Sequence, residues 1–85
     1  MAELIQNFHD TEENKVFAYA VYRNSLVYLF KLRGHLRAGV LETRDLAIRW
    51  GDCLYIPTDY KDSSPAPRLA TREDFEHYRI QYTEI

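Results

Sequence analysis

Phe30-Lys31-Leu32-Arg33-Gly34-His35-Leu36-Arg37-Ala38-Gly39-Val40 is the stretch on which the fold turns. Its even positions are Phe30, Leu32, Gly34, Leu36, Ala38 and Val40, and its odd positions include Lys31, Arg33, His35 and Arg37. Side chains alternate sides along a strand, so period two places the apolar groups on one face and the four basic or imidazole groups on the other. A helix would scatter those bases around its cylinder. The alternation crosses Gly34 without a change of phase, which disfavours a two-residue hairpin at Gly34-His35. The expectation is one long strand, bent or bulged near Gly34.

Upstream, Lys15 to Tyr22 is rich in Val, Phe and Tyr. Arg23-Asn24-Ser25 then supplies turn chemistry for a hairpin into Leu26. Downstream, a two-residue loop at Gly51-Asp52 would pair Trp50 with Cys53 and Ile48 with Tyr55. The competing reading of residues 43–51 is a two-turn helix with Thr43 as N-cap and Gly51 as its stop. Thr71-Arg72-Glu73-Asp74 has the form of a capping box, so one or two helical turns follow it, and Ala70 and Phe75 are placed to form a weak staple. Tyr78 to Thr83 alternates apolar with polar residues and reads as a last strand. Leu4, Ile5 and Phe8 have helical spacing at the start of the chain.

These elements add up to an α+β fold: a small, meander-like antiparallel sheet of four or five strands with one or two short helices. The alternative is an all-β small barrel. At 85 residues the expectation is a single domain over 1–85. Pro65 and Pro67, among polar turn formers, mark a long surface loop at 58–70, of which Thr58 to Arg68 is expected to be the most mobile internal segment.

Hydrophobic residues are 46% of the chain and charged residues 28%, so disordered, collagenous and coiled-coil compositions fit poorly. No apolar run approaches the ~20 residues of a membrane span. The first ten residues lack a leader's basic start and apolar stretch. The lone Cys53 suits a reducing compartment, and a cytoplasmic location is expected. The net charge of −2 is unevenly spread. Residues 1–22 carry −3, residues 23–49 carry +4 and residues 50–85 carry −3. A basic middle between acidic ends either meets an acidic partner or is neutralised by the ends folding back.

Gly34, Gly39 and Gly51 do not cluster, so no phosphate-cradling loop is expected. His9 with Glu13 and Glu73 with His77 have i, i+4 spacing, but solvated polar faces explain both pairs, and no metal or cofactor is expected. Cys53 shares a phase with Trp50 and Tyr55, as a buried small hydrophobe would. No constellation for acid–base or nucleophilic chemistry stands out, so the chain is not expected to be an enzyme.

What remains is the basic stripe. Lys31, Arg33, His35 and Arg37 are candidate contacts for an acidic protein or for nucleic-acid phosphates, with Tyr28 available for stacking although its phase is that of the core. Tyr60, a large ring in a polar loop, is a candidate anchor for a partner pocket. Abundant Tyr and Arg in a small chain without reactive groups point to a non-catalytic regulator or inhibitor, of the kind phages and mobile elements encode, docking on a larger macromolecule. The alternative is a nucleic-acid-binding module using the basic strand. Small size and open sheet edges favour a homodimer, with Tyr78–Thr83 as the pairing edge.

Overall fold

In the computed structural model, which describes residues 8–56 and 67–84, five strands form one antiparallel open sheet. They are β1 (Ala18–Val21), β2 (Ser25–Leu32), β3 (His35–Thr43), β4 (Cys53–Tyr55) and β5 (Arg68–Leu69), in the spatial order β4-β3-β2-β1-β5. A 3-10 turn at Phe8–Asp10 and the helix α1 (Arg72–His77) complete the set. The first four strands run as a meander, and β5 pairs with the outer side of β1. Because β4 and β5 lie at opposite edges, the sheet does not close, and the small-barrel alternative is corrected. Among the described residues, no helix is long and apolar enough to cross a membrane.

The deciding stretch is not one strand. Arg33 and Gly34 both take positive φ, 53° and 80°, and form a two-residue hairpin loop between β2 and β3. The register is Leu32 with His35, Lys31 with Leu36 and Phe30 with Arg37. A two-residue loop puts i and i+3 on one face, so the phase inverts across it while the letters go on alternating. The disfavoured register had Gly34-His35 as the loop; the loop lies one residue earlier. Glu13 stabilises it, since the amides of Arg33 and Gly34 both donate to its carboxylate.

The β1–β2 hairpin is as expected from its residues. Arg23 and Asn24 sit at φ 53° and 55°, and Tyr22 and Ser25 exchange both backbone hydrogen bonds. The box at Thr71 is also present: Asp74 N–H donates to the Thr71 hydroxyl while the Thr71 amide donates to the Asp74 carboxylate. Arg68 adds a bidentate pair to Asp74 at 2.8 Å. That guanidinium, assisted by Thr71, holds the Asp74 carboxyl well below the usual carboxylate range against the opposing effect of burial.

Three further expectations change. Residues 43–51 are neither hairpin nor helix: β4 pairs with β3 instead, Arg37 opposite Tyr55 and Gly39 opposite Cys53, leaving a loop at 44–52. Tyr78 to Thr83 is not a strand. Its apolar residues Tyr78, Ile80 and Tyr82 pack on the sheet with Phe75, so the chain continues the helix's cover instead of joining an edge. Within 58–70, Arg68 and Leu69 pair with Val21 and Ala20. At the end of the segment expected to be mobile, Pro67 is buried and Arg68 is held in β5, which corrects that expectation for these two residues. Residues 57–66, with the rest of that segment and Tyr60, and Leu4 and Ile5 lie outside the described residues.

Both faces of the sheet are apolar over part of their area, which is what the inverted phase requires. On one face Ala18, Ala20, Val27, Leu29, Leu36, Ala38 and Val40 pack with Phe8, Ile48 and Ile56. On the other, Leu26 packs with Phe75 and Tyr78, bordered by Tyr19, Val21 and Leu41. The tyrosine hydroxyl of Tyr78 donates to Asn24 Oδ1, and burial pushes that phenol above its ordinary range.

Candidate docking surface

The four residues of the expected basic stripe do not share a face. Lys31 pairs with Leu36 on the Phe8 side of the sheet, where its ammonium donates to the His9 carbonyl at 3.1 Å and lies 3.9 Å from Glu13. Arg33 sits in the turn. Only His35 and Arg37 reach the opposite face, and there they meet aromatic rings. Phe30, Arg37 and Tyr55 lie side by side on β2, β3 and β4, the Arg37 guanidinium 5.3 Å from the Tyr55 ring centre. His35 meets the same ring edge-on at 5.7 Å, and Tyr28 stacks on Phe30 at 5.7 Å. Tyr28, expected in the core by its phase, is half-buried in this row because the phase inverts after it.

Cys53 corrects another expectation. Its place on edge strand β4, on the same face as Tyr55, leaves it exposed and not among the core hydrophobes. Among the described residues, no group of three His, Cys, Asp or Glu side chains could hold a metal ion.

Among the described residues, the most exposed large apolar groups lie on the loop between β3 and β4. Leu46 is fully exposed, at 103% of its reference area, and Trp50 is 77% exposed, whereas Ile48 between them is buried against the sheet. Short-range hydrogen bonds hold this arrangement. The Ser25 hydroxyl donates to Thr43 Oγ1 at 2.7 Å, and the same oxygen accepts from the Asp45 amide. Asp45 Oδ1 accepts from Ala47 N–H, and Asp52 Oδ2 accepts from Arg49 N–H, both at 2.9 Å. The Gly51 amide donates to the Val40 carbonyl, and Val40 N–H donates to the backbone carbonyl of Asp52.

These carboxylates are therefore turned into the loop, and Asp45 also meets Arg23 at 3.9 Å. Arg44 lies across the Tyr78 ring at 5.4 Å and donates to the His77 carbonyl, tying the loop to the end of α1. Arg49 is exposed between the two apolar tips. The loop is anchored by Ile48, and the side chains of Leu46 and Trp50 contribute little to the core that holds it.

The expected hairpin at Gly51-Asp52 places Ile48 and Trp50 on one face with Cys53 and Tyr55; of these four only Ile48 is buried. A local signal was there in Asp45 and Asp52, residues whose carboxylates favour bonds to amides two or three positions away. Comparison with protein-family models, curated proteins and solved structures finds no match for the chain.

Proposed function

We propose that the protein is a non-catalytic binding module, a small regulator or inhibitor that docks on a larger protein through loop 44–52. The observation that carries this reading is the exposure of Leu46 and Trp50 on a hydrogen-bonded loop. A Trp that enters a partner pocket can contribute ~2 kcal/mol or more, Leu46 adds apolar area beside it, and a pre-ordered loop loses little entropy in docking. With Asp45 and Asp52 engaged inside the loop, the charge offered beside the tips is that of Arg49, which suits an apolar pocket with an acidic rim.

Capture by tagged parent protein compared with a Leu46→Ala/Trp50→Ala variant tests the reading. Partners retained by the parent and lost by the variant, with thermal unfolding unchanged, support it. Equal capture by both overturns it.

A second reading has its own observation, the row of Phe30, Arg37 and Tyr55 with His35 beside it. Rings that stack on bases next to a cation that meets phosphate suit single-stranded nucleic acid. This reading uses His35 and Arg37 and releases Lys31 and Arg33. It is tested by Arg37→Glu, which should reduce the salt dependence of binding by about one phosphate, a slope change of ~0.7 for a single strand. An unchanged slope would remove it.

A further inference from the structure

We propose that loop 44–52 of one molecule docks at the Phe17 corner of a second copy, so that the chain self-associates head to tail. This rests on the reading of Leu46 and Trp50 as docking side chains and gives that surface a second, competing occupant.

Two concavities meet at Phe17. One, of about 330 Å³, lies between the start of β1 and the end of the described chain and is lined by Tyr19, Leu69, Phe75, Tyr82 and Glu84. The other, of about 320 Å³, is lined by Val16 and Phe17 with Asp10, Glu12 and Lys15 around them. The corner thus combines Val16, Phe17, Leu69 and Phe75 with three carboxylates, against the Lys15 ammonium and the Arg72 guanidinium that lies 4.1 Å from the Tyr82 ring centre. The loop is the complement: apolar tips, exposed Arg49, and carboxylates engaged internally. This is the folded form of the charge distribution along the chain, acidic on both sides of a basic middle.

Position keeps a molecule's own loop 44–52 away from its corner. The loop leaves β3 at Thr43, which pairs with Ser25 beside the β1–β2 turn, and leads to the β4 edge. Phe17 precedes β1, at the far end of that strand from the turn and on the side of the sheet that carries β5. One contact therefore leaves a free loop on one molecule and a free corner on the other. A heterologous contact of this kind makes rings where the rotation closes and filaments where it does not. Tyr78–Thr83 takes part as a wall of the corner through Tyr82 and Thr83, not as a pairing strand.

The test uses two variants with changes at exposed positions. Leu46→Ser/Trp50→Ala lacks the tips and keeps the corner. Thr83→Trp/Glu84→Arg obstructs the corner and keeps the tips. Sedimentation velocity of the parent from micromolar to millimolar concentration should show mass rising with concentration, with Trp50→Ala alone weakening association about tenfold or more. Each double variant alone should remain monomeric, and an equimolar mixture should form a 1:1 heterodimer and nothing larger, because it contains one intact loop and one intact corner. A parent that stays monomeric at millimolar concentration, a double variant that still associates by itself, or a mixture that does not pair overturns the proposal. If the parent is monomeric while Trp50→Ala still abolishes partner capture, self-association falls and the docking reading stands. If Leu46→Ala/Trp50→Ala alters neither, both fall.

Discussion

The ring of Tyr28 on β2 occupies the space over Gly39, its partner on β3, that any other residue would give to a Cβ: an atom built there overlaps the ring. Gly39 thus makes room for its neighbour and is not demanded by its own backbone angles: a Cβ there would displace the Tyr28 ring. Tyr28 in turn stacks on Phe30 and so supports the row that holds Arg37 and Tyr55.

Gly39→Ala should destabilise the protein by ~1 to 3 kcal/mol, the usual cost of forcing an atom into a filled site. Chemical denaturation measures it. Combining the change with Tyr28→Leu should cost less than the two single changes added together, since the shorter side chain vacates the space.

Arg33 stands at the first position of a two-residue turn with φ 53°, a conformation in which Asn is better tolerated than a long side chain. Arg33→Asn should therefore raise stability by ~0.5 to 1 kcal/mol, read as a higher denaturation midpoint at unchanged slope. Glu13→Ala, which removes the carboxylate from the amides of that turn, should lower it by ~1 kcal/mol.

Asp74 makes acid stability diagnostic. Its carboxyl is held below its ordinary range chiefly by Arg68, so the unfolded chain takes up this proton at higher pH than the folded one. The stability it contributes is complete well above pH ~4, the unfolded value, and is lost as pH falls toward the folded one. Thermal unfolding between pH 6 and pH 2 should fall less steeply for Asp74→Asn than for the parent. Thr71→Ala, which removes the hydroxyl from the same cap, should cost ~1 kcal/mol at neutral pH.

Leu46→Ala and Trp50→Ala should each change stability by less than ~0.5 kcal/mol, because exposed side chains lose nothing on truncation that folding had gained. Ile48→Ala, between them and buried, should cost ~2 kcal/mol or more. Calorimetry of the three variants checks the contrast, and a large loss at Trp50 would mean that its ring is packed.

The features legible in the amino-acid sequence are those closed by neighbours. The Arg23–Asn24 turn and the capping box of Thr71 and Asp74 each need partners only a few positions away, and the sheet with a short helix follows from period and composition. The misleading feature was the phase through Phe30 to Val40. Leu26 to Phe30 is apolar at five successive positions, so β2 fits the sheet with either face inward, and only pairing with β3 selects the register. That selection sends Lys31 to one face, His35 and Arg37 to the other, and Arg33 into the turn. The same holds for β4: whether Cys53 to Tyr55 pairs backward with residues 48–50 or across with Arg37 to Gly39 depends on long-range hydrogen bonds that period two cannot rank. The second choice frees residues 44–52 to form the loop that presents Leu46 and Trp50. Local chemistry determined the turns and the cap; competition between distant strands, decided by burial on two faces at once, determined what the surface displays.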